Sequence, residues 1–309
     1  MKDLYRYIWK ASGRQQVILS VLAVILLLIE LAPLELQRRI VNSAVEHKDF
    51  QLIGLLCLIY VAVTLTHGAL KLVLNVYRAS VGEAANRRLR MQAHAPDAHH
   101  AAHGSMSDHE GVAISIIVSE VEAVGGFVAS SFSVPVLNAG ILASVLAYMV
   151  YTQPWLALVA VLLFCPQMLF IPLLQAAINR RTASRIKLMR ALSVDIVNEA
   201  VDRAQTGDGK KFRHRFDEVY RLNMEIFRRK FGMNFLMNLT YSLGVIGILA
   251  AGGWLVLQGQ TEVGTIVAFI SGLSRVNDPW GDLVDFFRDL TSASVKFKLI
   301  MATLGKRVP

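Results

Sequence analysis

Apolar residues fall along the chain in six runs, at 17–36, 52–76, 127–151, 155–178, 231–257 and 263–284. Each is close to the roughly 20 residues that a helix needs to cross the hydrocarbon core of a bilayer. The sixth run is the weakest and contains Arg275 and Asp278. The connections alternate: 42–51, 151–154 and 258–262 are brief, whereas 77–126, 179–230 and the tail after 285 are long and polar. The long connections lack the Pro, Gly and Ser composition of linkers. In "RRTASRIKLMRALSVDIVNEAVDRA" and "RFDEVYRLNMEIFRRKFG" the apolar residues recur at helical spacing, so spans four and five are predicted to continue as helices beyond the membrane. An extension of about 25 residues projects roughly 35–40 Å. The pattern therefore predicts an all-α membrane protein: an N-terminal interfacial elbow helix over 1–15, then six long transmembrane helices with cytoplasmic extensions over 16–305.

Composition agrees with this and fixes orientation. The 309 residues are 54% hydrophobic, with a mean hydropathy of +0.46 and a formal net charge of +9. Such a chain is too apolar for a soluble domain. Of the 32 Lys and Arg, only Arg38, Arg39 and Lys48 fall at the face opposite the long connections. The positive-inside bias then assigns both termini and both long connections to the cytoplasm, with a bacterial cytoplasmic membrane as the expected setting. The first apolar run is too long for the core of a signal peptide. The basic tract lacks interleaved aromatics and any nucleic-acid-binding module, so attraction to anionic lipid explains it and no nucleic-acid partner is expected. Cys57 and Cys165 lie in separate apolar runs and are expected to be packing residues rather than a disulfide or metal pair.

Ionisable groups at membrane depth are expensive and tend to face a cavity or a partner. Glu30 in span one and Arg275 and Asp278 in span six lie at comparable depth, so they are expected either to line a translocation cavity or to bridge the two spans structurally. Asn234, Asn238, Tyr241 and Ser242 share one face of span five, which either lines the pathway or supplies interhelical hydrogen bonds. His67 and Lys71 stand one turn apart in span two, as part of a proton relay or with Lys71 snorkelling to the surface. His94, His99, His100, His103 and His109 cluster in "HAPDAHHAAHGSMSDH", where His99 and His103 have one-turn metal spacing. Without cysteine or a second fixed pair, a docking hairpin tip accounts for them better, and no metal site is assigned.

"TGDGKKFRHRF", at 206–216, has the look of a phosphate-binding loop. The full pattern G-x-x-x-x-G-K-[ST] fails at both ends, at Ala204 and at Lys211. The stretch reads as a turn at the tip of a helical hairpin.

Three segments carry a family likeness: "GVAISIIVSEVEAVGGFV" (111–128), "VNEAV" (197–201) and "EVGTIVAFISGLSRVNDPWGDL" (262–283). In this order and topology, over essentially the whole chain, they resemble the transmembrane domain of ABC exporters of the six-helix, domain-swapped type. The resemblance implies a pairing of two such subunits, as a homodimer or with a homologue, that exchanges helices four and five. It also implies coupling helices near 100–108, with His100, His103, Ser105 and Asp108, and near 204–212, with Thr206, Gly207, Asp208 and Gly209. Those would dock on nucleotide-binding domains that carry ATP and Mg²⁺. No P-loop and no LSGGQ-like motif occurs in these 309 residues. The chain is thus expected to hold no catalytic site and no cofactor of its own.

The leading expectation is the permease component of an ABC-exporter-like transporter that moves an amphipathic substrate by alternating access, with Glu30, Asn238, Tyr241, Arg275 and Asp278 as pathway candidates. Two alternatives stay open. One is an ATPase-free, proton-driven carrier resembling peptide importers of the same fold, in which Glu30, His67 and Asp278 would carry protons. The other is a non-transporting membrane scaffold or receptor.

Overall fold

The computed structural model describes residues 2–47, 50–93, 109–201 and 209–303. These form α1 (Lys2–Glu30), α2 (Ala32–Asn42), a π-helical turn (Ser43–His47), α3 (Phe50–Ala93), α4 (His109–Ser130), α5 (Ser133–Thr152), α6 (Pro154–Val201), α7 (Gly209–Leu257) and α8 (Val263–Thr303). No strand occurs among the described residues. Helices α3, α6, α7 and α8 have 44, 48, 49 and 41 residues. At about 1.5 Å per residue they run for roughly 60–75 Å, twice the hydrocarbon thickness of about 30 Å.

Among the described residues five stretches are long and apolar enough to cross a membrane: Lys2–Val45, Phe50–Gln92, Ser133–Thr152, Pro154–Met189 and Arg213–Leu257. The expected count of six needs this correction. The helix predicted for span six exists as α8, but from Arg275 onward Asp278, Asp282, Asp285 and Arg288 recur every turn, and no window there is apolar enough to qualify. Packing along α2, α4 and α5 compensates, because those helices shelter much of the surface of α8 from lipid. By contrast α3 presents Leu55, Leu58, Leu65 and Leu72 as exposed side chains, an apolar face suited to lipid.

Two predicted spans are broken, each within four residues ahead of a proline. Span one stops at Glu30 and restarts at Ala32, ahead of Pro33. Span three, expected from residue 127, is interrupted at Ser131 and Phe132, ahead of Pro135. Proline lacks an N–H, and its ring clashes with the carbonyl four residues back. Pro166, Pro172 and Pro279 sit inside continuous helices, so proline alone does not decide the break.

The chain divides into two compact units, one of Met1–Ala157 with Gly252–Pro309 and one of Leu158–Ala251. In the first, the elbow sequence is the start of α1, marked off by a non-helical Ser12 (φ −146°, ψ 26°). Its Leu4 and Ile8 are buried in a cluster with Leu89, Val121, Phe127 and Phe297, while Trp9 points outward. Each such fully buried side chain is worth about 1.5–3 kcal/mol in water-exposed parts of a fold. In the second unit the arms of α6 and α7 are joined by Arg181 and Glu225 at 3.1 Å and by Arg185 Nη1 donating to Asn223 at 3.3 Å. Cys57 and Cys165 are both free and exposed on helix faces, contrary to the packing role expected of them.

Candidate functional site

The site begins with the break at Leu31. In an unbroken helix the Leu34 N–H would bond the Glu30 carbonyl, but here it donates to Leu31 O at 3.1 Å, as does Glu35 N at 3.3 Å. Glu30 O is left without its helical partner at membrane depth, where an unsatisfied carbonyl is costly. Arg275 of α8 fills the gap, donating through Nη1 to Glu30 O at 3.1 Å and to the Glu30 carboxylate. The other carboxylate oxygen lies 2.6 Å from His67 Nε2 of α3. Glu30 is thus held between an arginine and a histidine from two other helices, with its side chain only 12% exposed. The expectation that Glu30 and Arg275 meet is realised in the geometry, and His67 joins them.

This cluster lines an open cavity of about 580 Å³ bounded by α1, α3, α5 and α8, all within the first unit. Asp278 lines the same cavity one turn beyond Arg275, as does Lys71 one turn beyond His67. Sequence reading missed Arg78, Asn138 and Asp282, which complete the polar wall. Their signal was present: Asp278, Asp282, Asp285 and Asp289 repeat at intervals of four, three and four, one face of a helix.

Two further networks fix the helices around it. At the second break, Gln16, fully buried, donates to Val128 O at 2.8 Å and accepts from Ser131 Oγ at 3.4 Å, which satisfies backbone freed by the turn. Arg78 Nε donates to Ser133 Oγ at 3.1 Å. At the other end of α8, Asn42 of α2 donates to Glu262 and accepts from Gly264 N at 2.7 Å, capping the helix from a neighbouring element. A Cβ on Gly264 would collide with the Arg38 carbonyl, so the Val-Gly that opens α8 is needed for close helix approach. Glu35 links Tyr148 at 3.0 Å and Arg39 at 2.8 Å nearby.

The remaining sequence candidates lie elsewhere. Asn238 and Tyr241 belong to α7 in the second unit, Asn238 exposed and Tyr241 half-buried, and neither lines this cavity. His100, His103, Ser105, Asp108, Thr206, Gly207 and Asp208 lie outside the described residues, and Gly209 is the first residue of α7. The same holds for all the clustered histidines except His109, which opens α4. Among the described residues no group of three or more His, Cys, Asp or Glu could hold a metal ion.

A multi-pass chain of long apolar helices such as this is an integral membrane protein. The family model of the ABC transporter transmembrane region matches residues 17–280, and the chain belongs to that family. A search of curated proteins found no significant match.

Proposed function

We propose that the chain is the permease component of an exporter, moving an amphipathic substrate through a pathway that includes the cavity around Glu30. The observation that carries this reading is the cavity itself: acidic and basic side chains from α1, α3 and α8 gather at membrane depth, where ionisable groups mark a pathway far more often than a passive core. The division of the chain, with the α6 and α7 arms forming a unit of their own, supports the exchange of those arms with a second transmembrane subunit, identical or homologous. Nucleotide-binding components outside these 309 residues would bind ATP and Mg²⁺ and push on the tips near 100–108 and 204–212. The long helices would carry that push to the cavity, so that ATP biases a two-state element. Reconstitution with a candidate ATPase subunit tests this: amphipathic substrate flux that requires ATP is expected, and flux indifferent to ATP would contradict it.

The contact between Glu30 and His67 favours a second reading. A carboxylate and an imidazole 2.6 Å apart at membrane depth can exchange a proton as the cavity changes access. In that case transport follows the proton gradient and collapses with an uncoupler, and His67→Gln removes the coupling.

A further inference from the structure

The cavity has two charged walls of opposite sign. On α3, His67, Lys71 and Arg78 stand at intervals of four and seven, one face of the helix. On α8, Asp278, Asp282, Asp285 and Asp289 stand on one face as well. Each charge is taken up to a different degree. His67 is turned to Glu30. Asp285 and Asp289 share Arg288 of their own helix, at 2.8 and 3.2 Å. That leaves Lys71 and Arg78 facing Asp278 and Asp282, of which Arg78 and Asp282 attract each other without closing an ion pair. Among the described residues no ion pair closes between these two pairs across the cavity, and Arg78 Nη2 is buried without a hydrogen-bond partner.

Two unclosed walls of opposite sign select a ligand by both. A cation alone satisfies Asp278 and leaves Lys71 unmatched, whereas an anion alone does the reverse. A charged group left unmatched discriminates between ligands more strongly than an added methylene does. Between the charged walls the lining includes the apolar side chains of Leu26, Leu74, Val134, Leu137, Ile141 and Phe286. A volume of about 580 Å³ suits one drug-sized molecule.

We infer that the cavity binds a zwitterionic amphipathic molecule, its anionic group toward Lys71 and Arg78, its ammonium toward Asp278 and Asp282, and its apolar body against the leucines. This rests on the transport reading above and names the class of substrate. Two sources share that chemistry, a zwitterionic phospholipid head group and a short apolar peptide with both ends free.

Equilibrium binding to the purified full chain in detergent tests it without ATP or flux, so its failure is separable from failure of the transport reading. The probes are trileucine, N-acetyl-trileucine, trileucine amide, short-chain phosphatidylethanolamine and its N-acetylated analogue. The zwitterion is expected to bind at least tenfold tighter than its singly charged analogues, and whichever parent binds identifies the source. Asp278→Asn and Asp282→Asn should erase the preference over the N-acetyl forms, and Lys71→Gln and Arg78→Gln the preference over the amide. Lys71 and Asp278 make no described hydrogen bond to the fold, so their variants read the effect even if Arg78→Gln unfolds. Equal binding of singly charged forms, a preference that survives all four substitutions, or no binding of either parent would overturn the inference.

Discussion

Arg275 Nη1 donates both to the backbone carbonyl of Glu30, at 3.1 Å, and to the carboxylate of the same residue, so one guanidinium secures a helix break and a charge together. Arg275→Ala should therefore lower stability by about 2–4 kcal/mol, since it strands a carboxylate and a carbonyl. Adding Glu30→Gln should restore part of the loss. Thermal unfolding of the single and double variants in detergent measures this, and a strictly additive double mutant would show that the pair is not coupled.

Gly264 meets the Arg38 carbonyl, whereas Gly253 has open space around it. Gly264→Ala is expected to destabilise by about 1–3 kcal/mol through overpacking, while Gly253→Ala should be neutral or mildly stabilising. Unfolding midpoints of the two variants compare them directly.

Gln16 ties α1 to the turn between α4 and α5 through Val128 and Ser131. Gln16→Leu keeps the bulk but removes the bonds. A loss of about 1 kcal/mol is expected, together with faster amide hydrogen exchange around 128–133, the segment that would open first.

The helical class and the polar residues of α1 and α8 were legible in the sequence because both follow from one-dimensional pattern. Long apolar runs set the spans, and Glu30, Arg275 and Asp278 stand out against them. The breaks at Leu31 and Ser131 were not legible, since Pro33 and Pro135 interrupt a helix while Pro166, Pro172 and Pro279 do not. What separates them is whether other elements take up the freed carbonyls, as Arg275 does for Glu30 and Gln16 for Val128, and that is a tertiary fact. The pairing of His67 with Glu30 required knowing which faces of α1 and α3 oppose each other. Asn238 and Tyr241 illustrate the reverse: a shared helical face fixes neighbours on α7 but not what that face meets.

The central claim is that the space between α1, α3, α5 and α8 is a water-accessible pathway inside the membrane. Its most direct test is thiol labelling in a Cys57→Ser, Cys165→Ser background, with single cysteines at Asn75 and Ser274 on the cavity and at Leu58 and Leu65 on the lipid-facing surface of α3. A membrane-impermeant, water-soluble reagent should modify Asn75→Cys and Ser274→Cys and spare Leu58→Cys and Leu65→Cys. Labelling at the leucine positions with protection at the cavity positions would contradict the account.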